Sequence, residues 1–550
     1  MVEPAPRHQF WIDRGGTFTD CIHRDRASGA LRVTKVLSSD EAPILGMRTL
    51  LGLAAGDRIP PSEVRMGTTL ATNALLERGG CPCVLVADEG LGDLIRIGDQ
   101  TRPALFAVDI RKPDPLADEV VEVAARMAAD GRILRTLDSR ALREALVGAR
   151  ERGAESVAVA LIHAYRDDTL ERQVAEVAEE VGFRHVSISS DIANELGLLG
   201  RADTTIANAY LTPLLTEYMA KLEEQLGEGR LRMMQSNGGL VDASGFIGRN
   251  AVLSGPAAGV VATSAVADEL GLSEVIGFDM GGTSTDVSRY AGTLSRVFES
   301  EIGGIRIRAP MIELHTVAAG GGSICSLEGK RMTVGPQSAG AKPGPLCYGD
   351  PAAKELTLTD VSLQLGRIAA DRFPFPLKTE PVNEKLESVA TALGDIGVSR
   401  SASEVARGFF RVAVESMAAA IQKVSVGRGH DVRTHGMVVF GGAGGQYACP
   451  IARRLGIRTL VFHPYAGVLS AFGMGVANFE WHGERDAGRA DVAGPLPARW
   501  QTAFEEIEAA GRSALARDAG SAARWGVHRR VALRYRGTET TLDVAWGDPA

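Results

Sequence analysis

At 550 residues the chain exceeds what one hydrophobic core supports, so two or more domains are expected. Apolar residues make up 45% and charged residues 23%, which excludes a disordered or fibrous chain. The 60 Lys+Arg against 68 Asp+Glu, net −8, offer no basic field to a nucleic-acid backbone or an anionic membrane.

The opening Met1-Val2-Glu3-Pro4-Ala5-Pro6 lacks a basic region followed by an apolar run, so no signal peptide is expected. No apolar stretch reaches the roughly 18 residues a membrane span needs. Phe10-Trp11-Ile12 reads as a short strand ending in Asp13-Arg14-Gly15-Gly16-Thr17-Phe18-Thr19-Asp20, and Cys21-Ile22-His23-Arg24 returns as the second arm of a hairpin. Among the six cysteines only Cys81 and Cys83 lie close together, and no second pair stands at a zinc-like spacing. Reduced, packed thiols and a cytoplasmic location are therefore expected. Residues 137–152 read as a helix capped by Asp138, with Ala141, Leu142, Ala145 and Ala149 on one face. The continuous apolar run Ser156 to Ile162 reads as a strand buried on both faces. A further helix carries Leu170, Val174, Val177 and Val181 on one stripe. Alternating strand and helix make this first region α/β.

A long helical segment over 202–227 reads as the crossover into a second lobe, where the opening theme returns. The strand Val275-Ile276-Gly277-Phe278 ends in Asp279-Met280-Gly281-Gly282-Thr283-Ser284-Thr285-Asp286, and Val287-Ser288-Arg289-Tyr290 runs back. A helix over 403–424 buries Ala406, Phe410, Ala413, Met417 and Ile421. The strand Met437-Val438-Val439-Phe440, the loop Gly441-Gly442-Ala443-Gly444-Gly445 and a helix over 446–455 follow. Past residue 485 a helix near 500–516 precedes Val531, Leu533, Tyr535 and Leu542, Val544, Trp546, two alternating triplets of a hairpin. An isolated hairpin buries little, so this end is expected to be the start of a domain cut short or completed by a partner.

The Asp-x-Gly-Gly-Thr-x-Thr-Asp motif thus occurs twice in the same strand–turn–strand context. A strand turning through Gly-Gly exposes N–H groups, and the missing side chains let phosphate oxygens approach. Gly15, Gly16, Gly281 and Gly282 are candidates for that contact, with Thr17, Thr19, Thr283 and Thr285 adding hydroxyls. Asp13 and Asp279 at the strand ends are the candidate catalytic acids, holding Mg²⁺ through water. Asp20 and Asp286 either orient the site or stabilise the turn. Gly441, Gly442, Gly444 and Gly445 are candidates to let adenine and ribose lie against the backbone at a helix N-terminus. The run is not a Walker loop, since no Lys-Ser/Thr follows, and it is not a dinucleotide fingerprint.

Two acid-led turns and a glycine-rich nucleoside loop resemble the actin, Hsp70 and sugar-kinase superfamily, which implies two RNase-H-like lobes closing on ATP and Mg²⁺. The stretch Met66-Gly67-Thr68-Thr69-Leu70-Ala71-Thr72-Asn73-Ala74-Leu75-Leu76-Glu77-Arg78 is more specific. With Leu253-Ser254-Gly255-Pro256, Ala318-Ala319-Gly320-Gly321-Gly322-Ser323 and Gly335-Pro336-Gln337-Ser338, it resembles the hydantoinase A and oxoprolinase family, over residues 10 to about 485. Arg14, the run into Ser288-Arg289-Tyr290, and Gly445-Gln446 followed by Ala448-Cys449 lean toward the oxoprolinase branch. Tyr447 departs from the histidine that the resemblance leads one to expect.

The resemblance implies an α/β protein with an actin-like lobe over 1–200, a second over 201–485 and an incomplete α+β domain over 486–550. It implies ATP-dependent hydrolysis of 5-oxo-L-proline or a related cyclic amide to the open-chain acid. Thr68, Thr69 and Asn73 are candidates to line the substrate pocket, although residues 73–78 also read as a helix start. Arg102 is a candidate to bind a substrate carboxylate or else an exposed arginine. In relatives the hydrolytic step sits on a hydantoinase B-type half or subunit, so such a partner is expected, and this chain alone is expected to hydrolyse ATP poorly. A hydantoinase A subunit, a ketone carboxylase subunit and a homo-oligomeric assembly stay open. A non-enzymatic nucleotide-binding regulator would want a DNA- or client-binding module, and no basic helix-turn-helix text is present. His430, His435 and His463 lack ligand partners at useful spacing, so core or surface histidines are expected, and Cys449 lacks a histidine, so a packed thiol is expected there.

Overall fold

The computed structural model describes residues 6–546 except 100–105, 107, 111, 374, 487, 489, 493, 496, 520–524, 539 and 540. Arg102, expected to bind a substrate carboxylate or to be exposed, lies outside the described residues.

Phe10, Trp11 and Ile12 are all buried, which makes β1 (His8–Arg14) a central strand. It continues through β2 (Phe18–Asp25) and β3 (Leu31–Leu37) as an antiparallel meander. After α1 (Ala42–Leu51), β4 (Ser62–Thr68) returns parallel to β1 and leads into α2 (Leu70–Glu77). A four-stranded parallel sheet is inserted next, from β5 (Cys83–Asp88), β6 (Glu119–Val123), β7 (Ser156–Ala160) and β8 (His185–Ile188). Its helix α3 (Ser139–Glu151) buries Leu142 and Ala149 of the expected stripe, with Ala145 half-buried and Ala141 exposed. The helix α4 (Thr169–Val181) buries Leu170, Val174 and Val177 with Val181 half-buried, and Asp138 accepts from the N–H groups of Arg140 and Ala141.

The helix α5 (Leu198–Leu226) does not cross to a second lobe. It leads to β9 (Arg230–Met234), which pairs parallel with β4, and to β10 (Leu240–Asp242) beside it. The first sheet is therefore β10-β9-β4-β1-β2-β3, and residues 230–242 complete it. The division expected at 200/201 falls inside α5, because helix periodicity says nothing about which sheet the following strand joins. The crossover is α6 (Ser254–Glu269).

The second sheet repeats the first. Strands β11 (Val275–Met280), β12 (Thr285–Tyr290) and β13 (Leu314–Val317) form the meander. The helix α7 (Ala402–Val424) packs on it, held at its start by a reciprocal Ser401–Glu404 cap. Parallel strands β14 (Gly436–Phe440) and β15 (Thr459–Phe462) flank α8 (Gly444–Leu455). The order β13-β12-β11-β14-β15 matches β3-β2-β1-β4-β9 in sequence and direction. Two lobes of one topology confirm the repeat.

Between the lobes α6 packs against α9 (Leu469–Val476). A Cβ on Gly473 would overlap the Ala258 carbonyl, so only glycine permits this approach. The core at this junction mixes Trp11 and Ile22 of the first lobe with Ala258, Val261, Ala471 and Met474. At the C-terminal end α10 (Ala498–Ala519) covers the hairpin of β16 (Arg529–Leu533) and β17 (Leu542–Trp546), and Trp546 meets the rings of Trp500 and Phe504. No helix among the described residues is long and apolar enough to cross a membrane.

Candidate functional site

In each lobe the motif aspartate ends the central strand and has a second aspartate as its cross-strand neighbour, Asp13 opposite Asp20 and Asp279 opposite Asp286. Burial pushes the Asp13 carboxyl up to about 7, the charge of Asp20 adds to that, and Lys35 opposes it. Asp279 lies well above the usual carboxylate range, first through burial, then through Asp286, and then through Asp13 and Asp20 of the other lobe. The helix α6 links the two turns: a Cβ on Gly255 would stand 3.2 Å from Asp13 Oδ1, and one turn further on a Cβ on Gly259 would stand 3.3 Å from Ser470 Oγ, the hydroxyl that bonds Asp279. The Ser470 hydroxyl of α9 hydrogen-bonds Asp279 and opposes the rise. Asp20 pairs with Lys35 on β3, whereas Asp286 accepts from Thr316 Oγ1 on β13 at 2.6 Å.

The turns spend their first glycine on themselves. Gly15 N–H donates to Phe18 O at 3.1 Å and Gly281 N–H to Ser284 O at 3.0 Å. The N–H groups of Gly16, Thr17, Gly282 and Thr283 have no acceptor among the described residues, and Gly16, Gly282 and Thr283 are exposed. Thr19 and Thr285 are fully buried and point inward: Thr19 bonds Ser38 Oγ, and Thr285 donates to the Ala319 carbonyl. They brace the turns instead of presenting hydroxyls. Strand alternation carried that signal, because Thr19 shares its face with the buried Cys21.

Of the nucleoside-loop glycines, Gly442 and Gly445 are exposed. Gly441 has φ +80°, and a Cβ there would overlap Asp279 Oδ1 and the Met280 carbonyl. Gly444 is already in the first turn of α8, packed against Val439 and Phe278, so it serves the core. Tyr447 faces the interior too: it is fully buried, stacks on Phe410 at 4.7 Å and hydrogen-bonds Ser362 Oγ at 3.0 Å. Tyr447, where the resemblance leads one to expect histidine, is thus a packing residue of the second lobe's core.

Thr69 and Asn73 line a cavity of about 270 Å³ together with Arg14, Gly15 and Gly16. Thr68 does not; it is buried, its N–H donates to Ser254 Oγ, and its hydroxyl accepts from Leu70 N–H at the start of α2. Arg78 is exposed at the end of α2. His435 is buried with Arg289 Nε donating to it at 2.9 Å, and His463 Nδ1 accepts from Tyr465 N–H.

Several site groups escaped the sequence reading. Ser38 donates to the Gly15 carbonyl at 2.6 Å and so holds the first turn. Gly321 and Gly322 N–H groups donate to the carbonyls of Gly281 and Gly282, folding a second glycine run over the other turn. The N-terminus of α6 abuts Asp13, whose Oδ1 lies 3.2 Å from where a Cβ on Gly255 would stand. That Oδ1 is buried and has no hydrogen-bond partner among the described residues. No three His, Cys, Asp or Glu side chains among the described residues are clustered to ligate a bare ion. Facing carboxylates with one orphaned oxygen fit a hydrated divalent cation, held partly through water.

Fold and cleft define a two-lobed, actin-like protein. The chain belongs to the hydantoinase/oxoprolinase family: the Hydantoinase/oxoprolinase model matches residues 201–482 and the Hydantoinase/oxoprolinase N-terminal region matches 9–182. It is 40% identical to 5-oxoprolinase 1 of Arabidopsis thaliana over 86% of this chain and 41% of that protein. It is 37% identical to 5-oxoprolinase of Saccharomyces cerevisiae over 97% of this chain and 46% of that one. The chain thus spans less than half the length of these relatives. The crystal structure of ATP-dependent caprolactamase from Pseudomonas jessenii is similar at a TM-score of 0.81 and 28% identity, covering 98% of this chain and 81% of that one.

Proposed function

We propose that this chain is the ATP-binding, carbonyl-phosphorylating half of an ATP-dependent 5-oxo-L-proline hydrolase that yields L-glutamate. The observation that carries this is the pair of acid-led glycine turns on either side of α6, with Asp13 beside Gly255 and Asp279 bonded by Ser470, which lies beside Gly259. The likeness to proteins named 5-oxoprolinase supports the choice of ring.

The lactam carbonyl is a poor electrophile because the ring nitrogen donates into it. In the proposed sequence its oxygen bonds to the γ-phosphorus of ATP while the bond to ADP breaks. Water then adds to the carbon, the C–N bond opens, and the resulting acyl phosphate is hydrolysed to glutamate and phosphate. The chain's part is positioning and charge neutralisation. N–H groups of Gly16, Thr17, Gly282 and Thr283 would cradle phosphate oxygens, and Gly442 and Gly445 would flank the nucleoside. Asp13 and Asp279 would hold hydrated Mg²⁺, which when bound neutralises phosphate oxygens. The hydrolytic step is assigned to a hydantoinase B-type half. All six cysteines are free thiols, which supports a reducing, cytoplasmic setting.

Combined with such a B half, the chain is expected to turn over ATP in response to 5-oxo-L-proline and to release L-glutamate. Alone, it is expected to hydrolyse ATP slowly and form no glutamate. Stimulation by a hydantoin or by acetone, and none by 5-oxo-L-proline, would move the chain to another branch of its family.

A further inference from the structure

The cavity of about 270 Å³ beside the first turn is small for a nucleotide and suits a single-ring ligand, since pockets for drug-sized molecules begin at roughly 300 Å³. Its polar wall is made by Arg14, Ser38, Thr69, Asn73, Glu77 and the Gly15–Gly16 backbone. Arg14 is the one cation among the lining residues.

The guanidinium of Arg14 is held in place from several sides. Its Nε donates to the Ser39 carbonyl at 3.3 Å, its Nη2 donates to Asp40 Oδ1 at 2.7 Å, and its Cζ lies 4.8 Å from the ring centre of the buried Tyr218. Its Nη1 has no hydrogen-bond partner among the described residues. The Arg14 side chain is only 13% exposed, while the Asp40 side chain is 71% exposed. A buried, oriented guanidinium whose counter-ion stands in water is a receptor for a second carboxylate: the exposed pair is worth little, and Asp40 is well solvated once released. The corresponding residue of the other lobe, after Asp279, is Met280, so the cation belongs to the cavity and is no requirement of the turn.

We infer that Arg14 is the specificity residue that receives the carboxylate of the lactam substrate, displacing Asp40. The ring then sits between Arg14 and α2, with its carbonyl toward the Gly15–Gly16 turn. The Asn73 carboxamide, which bonds no other described side chain, meets the ring amide. This rests on the reading of the chain as a 5-oxo-L-proline hydrolase half.

The test is calorimetric titration of the full chain, loaded with Mg²⁺ and a nonhydrolysable ATP analogue, with 5-oxo-L-proline and with its neutral carboxamide. Wild type is expected to prefer the acid. Arg14→Met is expected to weaken the acid about 10- to 100-fold and to abolish its preference over the amide, as loss of a charge-assisted pair requires. Asp40→Asn, a surface change, is expected to tighten the acid about two- to fivefold by removing the competing carboxylate, and to leave the amide unchanged. Should wild type prefer the acid and Arg14→Met keep that preference, the assignment of Arg14 is overturned while the hydrolase reading stands. Unchanged or weaker acid binding by Asp40→Asn overturns the displacement. Should wild type bind neither compound, the 5-oxo-L-proline reading falls and takes the inference with it.

Discussion

In the first lobe Asp20 faces Lys35 on the third strand; in the second, Asp286 at the same register faces Thr316. Arg14 follows Asp13, whereas Met280 follows Asp279. The loop after β4 leads through Thr68 and Thr69 into α2 and opens on a cavity. Its topological counterpart after β14 is the glycine run into α8, and Gly320–Gly322 fold over the neighbouring turn. The turn itself is thus a common mount for one acid and two open N–H groups. The flanking strands and loops decide what lies beside it: a small charged cavity in one lobe, a broad glycine surface in the other. One fold copied twice gives two unlike half-sites, which in the proposed reading divide a nucleotide and a second, smaller ligand between them.

The strongest way to break this comparison is at the acids. Asp13→Asn and Asp279→Asn are each expected to lower 5-oxo-L-proline-dependent phosphate release about 10²- to 10³-fold, the scale for losing one transition-state electrostatic contact. If one of the two is silent, the turns do not serve the same triphosphate.

Next in size is the second lobe's glycine surface. Gly441→Ala forces a left-handed residue against Asp279, and chemical denaturation is expected to show a loss of about 1–3 kcal/mol, with weaker nucleotide binding.

A pH profile sharpens the contrast. An unfolded aspartate titrates near about 3.9, and Asp13 holds its proton up to about 7, so folding takes up a proton in that interval. The stability linked to Asp13 is present at low pH and is lost as pH rises from about 4 to 7. Thermal unfolding of the nucleotide-free chain should lose stability across that interval, and Asp13→Asn should make the slope shallower while the raised Asp279 keeps its own share. Mg²⁺ with nucleotide should offset the loss at the upper end.

The smallest effect tests a threonine. Thr285→Val is expected to cost about 1 kcal/mol of stability and to keep turnover within about twofold, because its hydroxyl is spent on the Ala319 carbonyl. A collapse in turnover would return Thr285 to the phosphate site.

Local signals made much of this molecule legible. The duplicated motif, the buried runs at Phe10–Ile12 and Ser156–Ala160, the stripes of α4 and α7, and the C-terminal hairpin all depend on neighbours within a few residues. Periodicity records such neighbours directly. The end of α5 was different: its residues say helix, but only pairing with β4 shows that the next strand returns to the first sheet.

From the chain alone came two equivalent acid-led turns and the kind of chemistry they suit. The tertiary structure decided which atoms meet there. Lys35, Ser38, Gly255 and Ser470 reach the turns from other segments, and no local pattern marks them. It also turned Thr19, Thr285 and Tyr447 inward and set Arg14 on a cavity wall. The reason is physical: spacing along a strand fixes which side a residue takes, while burial, charge and partner are set by whatever packs against that side.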